Sequence, residues 1–141
     1  VDYHIGLTCE GKHAAQILQR ALWKRQQFDQ EDRPVIRTDN GPQFISHVFE
    51  NACQTFQVEH ERIPPKTPNK NAHIEAFHGI LEKECLQRHE FLTYQEAYET
   101  VTNYLLFYNQ RRIHGSLYNL SPAEFMEAFT LQRVKPFVVK V

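Results

Sequence analysis

The sequence lacks the features that mark membrane proteins and disulfide-rich proteins. No apolar run approaches the roughly 20 residues that a membrane-spanning helix needs, and no signal-peptide pattern opens the chain. The three cysteines, Cys9, Cys53 and Cys85, are odd in number and include no Cys-x-x-Cys pair. The pattern therefore supports neither a disulfide framework nor a zinc ribbon. We therefore expect a protein of the cytoplasm with no membrane partner.

The sequence also lacks a surplus of positive charge. Its 16 lysines and arginines stand against 17 aspartates and glutamates, which gives a net charge of −1. Proteins that bind the phosphate backbone normally carry a basic excess, so composition alone does not predict a nucleic-acid partner. The basic character is local and is found at Arg62, Lys66 and Lys70 and, later, at Arg111, Arg112 and His114.

Apolar periodicity predicts that strands and helices alternate along one domain of residues 1–141. The predicted strands cover residues 1–9, 34–36 and 58–63, and the predicted helices cover residues 12–28, 44–56 and 71–88. Two capping boxes, Thr93 to Glu96 and Ser121 to Glu124, predict the starts of two more helices. The first of these is expected to reach Tyr108 with a core stripe at Ala97, Tyr98, Val101, Leu105 and Tyr108, and residues 134–141 form a strand-like tail.

Asp39 is the first candidate for a functional acid. It follows the short apolar strand and opens into the turn signal Asn40-Gly41-Pro42. A carboxylate at the end of a strand in an α/β protein points into the crevice where ligands usually bind. We expect Gly41 to supply a positive φ in this turn and thereby to position Asp39.

Glu75 is the second candidate. It lies four residues after Asn71, in the first turn of a predicted helix whose apolar stripe is Ile74, Phe77, Leu81 and Cys85. The stripe places Glu75 beside the buried face. Subtracting positions, 75 − 39 = 36, leaves 35 residues between the two acids. Such a pair suits hard divalent cations, which take carboxylate oxygens and substrate phosphates as ligands, and two such ions can clamp a phosphoryl displacement.

Three stretches of the chain, in order and in register, together resemble the integrase core of the DDE transposases. These are insertion-sequence enzymes that share a ribonuclease H-like fold with retroviral integrases, and their last two acids are also 35 residues apart. The stretches are Thr38-Asp39-Asn40-Gly41-Pro42-Gln43-Phe44, Asn71-Ala72-His73-Ile74-Glu75-Ala76-Phe77-His78, and Tyr108-Asn109-Gln110-Arg111-Arg112-Ile113-His114 with Leu120-Ser121-Pro122-Ala123-Glu124-Phe125.

The resemblance implies an α/β fold with a mixed ribonuclease H-like sheet, flanking helices and extra C-terminal helices. It implies a bacterial transposase that cleaves DNA at the element ends and transfers the strand to target DNA. Asp39 and Glu75 would be two of three ligands for Mg²⁺ or Mn²⁺. The candidate DNA contacts are Arg62, Lys66, Lys70, Lys83, Arg111 and Arg112, and the residues expected to shape the site are Asn40, Gly41, Asn71 and His78.

The first catalytic acid of that family has no match in this chain. In the ribonuclease H-like fold it lies on the first of three antiparallel strands, whereas here a single predicted strand precedes the first helix. Asp2, the sole acid on that strand, is too close to Asp39 to be the missing ligand. We therefore expect a partial core that lacks the first two strands, is inactive alone, and forms homo-oligomers through its unpaired sheet edges.

Several residues admit two roles. Asn71 either caps its helix or orients the loop before Glu75. Arg111 and Arg112 either complement a helix dipole or contact phosphate. His78 is either structural or close to the scissile phosphate. Glu82 stands where family members often carry a basic residue, and Lys83 is a possible substitute.

Two other functions fit the same residues. One is a hydrolytic nuclease on the same fold, which would nick DNA without joining it. The other is a module that binds DNA or dimerises and has lost the chemistry. A strand-transfer assay separates the first from a transposase, and metal binding between Asp39 and Glu75 separates the second.

Overall fold

The computed structural model describes residues 2–28, 33–64 and 72–135. Its regular elements are α1 (Gly11–Lys24), β1 (Ile36–Thr38), α2 (His47–Thr55), β2 (His60–Arg62), α3 (Ala72–Glu84), α4 (Tyr94–Gln110) and α5 (Pro122–Thr130), with 3₁₀ turns at Leu86–Arg88 and Gly115–Leu117. The chain divides into two compact units, Asp2–His73 and Ile74 onward. The prediction of one domain over residues 1–141 stays a prediction.

The first unit contains a two-stranded parallel sheet. β1 pairs with β2 in the register Ile36 to His60 and Thr38 to Arg62. The backbone pairing continues one residue further, because Ile63 N–H donates to the carbonyl of Thr38 at 2.9 Å. Two parallel strands need a crossover connection, and α2 lies in the crossover between β1 and β2.

The core of the first unit forms between α1 and α2. Ala14, Leu18 and Leu22 recur every four residues and bury one face of α1. They cluster with Phe49, Cys53 and Val58, and the aromatic rings of Phe28, Phe44 and Phe56 pack around this cluster. Phe44 meets Phe49 edge to face at 5.4 Å between ring centres, and Phe28 meets Phe56 at 5.5 Å. The core therefore holds both ends of the crossover close to the sheet.

The second unit is helical and both of its predicted capping boxes are confirmed. Thr93 accepts a hydrogen bond from Glu96 N–H, and the Glu96 carboxylate accepts one from Thr93 N–H. Ser121 and Glu124 make the same reciprocal pair at the start of α5, where Ser121 is fully buried. Two orphan N–H groups at each helix start are thereby satisfied.

The predicted boundaries shifted in several elements. α1 ends at Lys24 because Gln26 adopts a φ of 53°, which cannot continue a right-handed helix. α2 begins at His47, where Ser46 caps it by accepting a hydrogen bond from Phe49 N–H. Tyr98, predicted as core, is 45% exposed, whereas Leu105 and Tyr108 are buried as expected. Residues 136–141 of the predicted tail lie outside the described residues.

The strand predicted over residues 1–9 is wrong for the described residues 2–9, which form no strand. A strand needs a partner for its backbone groups, and this segment contacts a helix instead. Arg20 of α1 donates to the carbonyl of Tyr3, and the Asp2 carboxylate lies 3.4 Å from Arg20 and 3.3 Å from Lys24. Alternation of apolar residues cannot show whether a second strand is available to pair with the segment. No helix within the described ranges is long and apolar enough to cross a membrane.

The core of the first unit predicts a contrast between two neighbouring residues of α2. Phe49 is 2% exposed and Val48 is 54% exposed. Phe49→Ala should lower the free energy of unfolding by about 3–5 kcal/mol, because it removes a large buried side chain and leaves a cavity. Val48→Ala should change it by less than about 0.5 kcal/mol, as is usual at exposed sites. Urea unfolding measures both, and equal losses would contradict the assignment of the core.

Candidate metal and nucleic-acid site

Asp39 lies at the carboxyl end of β1, as the sequence predicts. Thr38, the last residue of the strand, is buried, and its hydroxyl donates to the Asp39 carbonyl at 2.9 Å and lies 2.8 Å from His60 Nε2. Burial, followed by the nearby Arg62 charge, lowers the pKa of His60. The neutral ring therefore remains beside Thr38. The Asp39 side chain itself is exposed, so a cation can reach its carboxylate.

The turn after Asp39 is held by side chains rather than by an unusual backbone. Asp39 Oδ1 accepts a hydrogen bond from Gly41 N–H at 2.8 Å, and Asn40 Nδ2 donates to the carbonyl of Ile63 at 2.9 Å. The second bond ties this loop to the residue that follows β2. Both Asn40 and Gly41 thus fix the position of Asp39, through contacts that sequence analysis did not specify.

The prediction that Gly41 has a positive φ is wrong. The glycine is required instead because atoms approach it closely. A Cβ at this position would lie 3.0 Å from Asp39 Oδ1 and 2.6 Å from Gln43 Nε2. A side chain at position 41 would require the Gln43 amide to move and the Asp39 carboxylate to shift by a few tenths of an ångström, so Gly41 shapes the site by its small size.

Glu75 lies in the first turn of α3 and is exposed, as is His78 one turn later. The apolar stripe of α3 is less buried than expected, since Ile74 is 43% exposed and only Cys85, just past the helix, is buried. Phe77 is half-buried and packs edge to face on Tyr108 at 5.1 Å. Asp39 belongs to the first unit and Glu75 to the second, so their convergence on one cation stays a prediction.

Each of the two candidate ligands suits a hard divalent cation. Asp39 and Glu75 are exposed carboxylates, and oxygen ligands of this kind suit Mg²⁺ and Mn²⁺. Within the described ranges, no group of three or more His, Cys, Asp or Glu side chains is arranged to hold a metal.

The predicted DNA contacts fall into three groups. Arg62, Lys83 and Arg111 are exposed, and their contact with DNA stays a prediction. Lys66 and Lys70, together with Asn71, lie outside the described residues. Arg112 differs from both groups, because its guanidinium is bound within the protein.

Sequence analysis missed a polar cluster that includes Arg112. Its Nη2 and Nε donate to the two carboxylate oxygens of Glu84 at 2.6 and 2.8 Å, and Tyr104 Oη donates to Glu84 Oε2 at 2.9 Å. The guanidinium also lies 5.7 Å from the ring centre of Tyr108. Two parallel N–H bonds to one carboxylate are among the strongest polar contacts in proteins. The Glu84 pair therefore occupies the groups of Arg112 that would contact phosphate.

The cluster changes the ionisation of its members. The hydrogen bonds from Arg112 lower the pKa of Glu84 to about 2, and the hydrogen bond from Tyr104 acts in the same direction. Burial, followed by the Glu84 carboxylate, raises the pKa of Tyr104. His114 meets Tyr108 edge to face at 4.9 Å, and burial followed by the Arg112 charge lowers its pKa. At neutral pH the cluster therefore contains one ion pair and neutral rings.

Known proteins similar to this chain include integrase cores and proteins of insertion elements. A family model described as the integrase core domain matches residues 56–122. A 39.2 kDa protein of insertion element IS476 from Xanthomonas euvesicatoria is 38% identical over 99 residues, which are 70% of this chain and 29% of the relative. The transposase InsF for insertion sequence IS3A from Escherichia coli K12 is 29% identical over 129 residues, which are 86% of this chain and 43% of the relative.

The chain is similar to the integrase core family, whose model matches residues 56–122. The crystal structure of the catalytic core domain of BIV integrase matches with a TM-score of 0.61 and 18% identity, covering 93% of this chain and 80% of that chain. This likeness confirms the predicted fold class, that of an integrase catalytic core with helices flanking a small sheet. The chain spans less than half the length of the two insertion-element relatives.

Two glycines of the chain should respond in opposite ways to substitution by alanine. Gly41→Ala should lower the free energy of unfolding by about 1 kcal/mol, because the new methyl group would press on Asp39 Oδ1 and weaken its hydrogen bond from Gly41 N–H. Gly79 lies inside α3 with open space around it, so Gly79→Ala should raise that free energy by up to about 1 kcal/mol. Urea unfolding of both variants is the measurement. A Gly41→Ala variant at least as stable as the parent would contradict the close approach.

The Glu84 cluster should make stability depend on pH in the acid range. The pKa of Glu84 in the folded protein is about 2, below the ordinary 4.5. The contribution of Glu84 to the free energy of unfolding is therefore complete above the unfolded pKa and is lost as pH falls towards the folded pKa. The urea midpoint of the parent should fall over this interval, and that of Glu84→Gln should fall less. Glu90→Gln, which removes an exposed carboxylate, is the control and should follow the parent. Parallel curves for the parent and Glu84→Gln would contradict the pairing.

Proposed function

We propose that this integrase core carries out metal-dependent cleavage and transfer of DNA strands, with Asp39 and Glu75 as two of the metal ligands. The observation that supports this most is the place of Asp39, an exposed carboxylate fixed at the carboxyl end of a parallel strand. Polar groups at that edge of an α/β sheet are the usual ligand-binding groups. The names of the insertion-element relatives agree with the same function.

The reaction proposed is a pair of in-line displacements at phosphorus. Water first attacks a phosphodiester at the element end and frees a 3′-hydroxyl, and that hydroxyl then attacks a target phosphodiester, whose own 3′-oxygen leaves. Mg²⁺ or Mn²⁺, when bound, activates the attacking oxygen and stabilises the leaving oxygen. Asp39 contributes a carboxylate whose Oδ1 is oriented by Gly41 N–H, and Glu75 contributes one from the first turn of α3.

The partner is DNA, both as element ends and as target. Arg62, Lys83 and Arg111 present exposed cations for backbone phosphates, and Lys66 and Lys70 keep the role that sequence analysis gave them. Arg112 is withdrawn from this group because Glu84 holds its guanidinium. Assembly into a homo-oligomer remains part of the proposal.

Metal binding tests the two acids directly. Isothermal titration of the chain with Mn²⁺ should show a site whose affinity falls at least about tenfold in Asp39→Asn and in Glu75→Gln, since even loss of an outer-shell partner costs that much. Glu82→Gln is the matched control, because it removes an exposed carboxylate from the same helix. Equal affinities in all four proteins would contradict the assignment of Asp39 and Glu75.

Strand transfer tests the reaction. An N-terminally extended form that supplies a third acid is incubated with Mn²⁺, a plasmid and a labelled duplex with a free 3′-hydroxyl. Joined products would support the transposase reaction, and nicked plasmid without joining would instead identify a nuclease. Residues 1–141 alone should give neither product. Absence of both products from the extended form would contradict the proposed chemistry.

A further inference from the structure

The last residue of α3, Glu84, is the point at which that helix is tied to the rest of its unit. Its carboxylate receives two hydrogen bonds from Arg112, which follows α4, and one from Tyr104 within α4. The side chains of Glu84 and Arg112 are 32% and 21% exposed, so water screens this pair only in part. A planar fork on a carboxylate fixes orientation as well as distance.

Apart from Cys85 just past its end, α3 is only partly buried within the described residues. None of its 13 residues is buried, and Phe77 is the residue whose ring packs on α4, edge to face with Tyr108. An aromatic pair of this kind contributes modestly and tolerates rotation of the rings. The direction in which α3 presents its faces therefore depends on the Glu84 cluster more than on a hydrophobic core.

Helical geometry connects this cluster to Glu75. Phe77 and Glu84 are seven residues apart, about two turns, so both lie on the face that meets α4. Glu75 and Glu84 are nine residues apart (84 − 75 = 9), about two and a half turns, so Glu75 lies on the opposite face. The exposure of Glu75 agrees with this placement. Any rotation of α3 about its axis would carry Glu75 with it.

We propose that Glu84, Arg112 and Tyr104 form a positioning cluster that sets the rotation of α3 and thereby the direction of the Glu75 carboxylate. Arg112 acts here through Glu84, without contact to metal or DNA. The consequence for metal binding rests on the proposed function, in which Glu75 is a ligand. The consequence for the orientation of α3 does not, and the two are therefore measured separately.

The orientation is measured by electron–electron distance spectroscopy between spin labels on α3 and α4. Labels are attached to Glu75→Cys and Asn103→Cys, both exposed positions, after the exposed Cys9 is changed to serine. The parent should give one narrow distance distribution. Arg112→Met should broaden or shift it, because α3 is then free to rotate. Arg133→Met, which removes an exposed cation from the same unit, is the control and should leave the distribution unchanged.

A charge exchange separates positioning from general stability. Glu84→Arg combined with Arg112→Glu restores a fork on a carboxylate, and it should restore the narrow distribution. If Arg112→Met lowers the urea midpoint but leaves the distribution as narrow as in the parent, the cluster stabilises the fold without positioning α3, and the proposal is overturned. If Arg112→Met does not fold, Arg112→Lys and Tyr104→Phe replace it, and unchanged distributions in both would overturn the proposal equally.

The effect on Glu75 is measured with Mn²⁺ on unlabelled protein. Arg112→Met should weaken Mn²⁺ binding by about tenfold, the lower end of the cost of losing an outer-shell partner, and the charge exchange should recover it. Loss of orientation with unchanged Mn²⁺ affinity would overturn the link between the cluster and Glu75. If no variant and no parent bound Mn²⁺ while the distance results held, the proposed metal chemistry would fail and the positioning of α3 would stand.

Discussion

The parallel pairing of β1 with β2 is the constraint on which the candidate site depends. It brings the ends of the two strands to one edge, where Ile63 N–H bonds to the Thr38 carbonyl. The next residue, Asp39, lies just beyond the sheet. Its carboxylate accepts a hydrogen bond from Gly41 N–H, and the Asn40 side chain bonds the same loop to Ile63. The packing of α1 on α2 stabilises this strand pairing, because α2 lies in the connection between the two strands. One exposed carboxylate is thus fixed by a buried framework.

In the second unit, an ion pair takes the place of close packing around the candidate acid. Its helix α3 carries Glu75 but buries no residue, so packing alone does not determine which way the acid faces. A bidentate ion pair at the far end of the helix supplies the missing orientation. Because the two hydrogen bonds from Arg112 favour the charged carboxylate, they lower the pKa of Glu84 to about 2. Directional polar contacts therefore position the candidate acid in each unit: Gly41 N–H bonds to Asp39, and we infer that the Glu84 pair orients the helix of Glu75.

Sequence reasoning succeeded where the physical cause was local. The place of Asp39 after a strand follows from an apolar run and a turn signal, and the starts of α4 and α5 follow from capping boxes within four residues. It failed where the cause was distant. The ion pair of Glu84 and Arg112 joins residues 28 apart, and Gly41 is needed because of neighbouring side chains rather than its own φ. The predicted strand over residues 2–9 is wrong for the same reason, because alternation does not show whether a distant strand is available for pairing.

The central claim is that Asp39 and Glu75 hold the same divalent cation. A crystal structure of the protein grown with Mn²⁺, with data collected at the manganese absorption edge, tests it most directly. The account predicts an anomalous peak within about 2.5 Å of carboxylate oxygens from both residues, the range of carboxylate coordination in such sites. A well-ordered structure with manganese bound elsewhere, or with the two carboxylates separated and no peak between them, would contradict it.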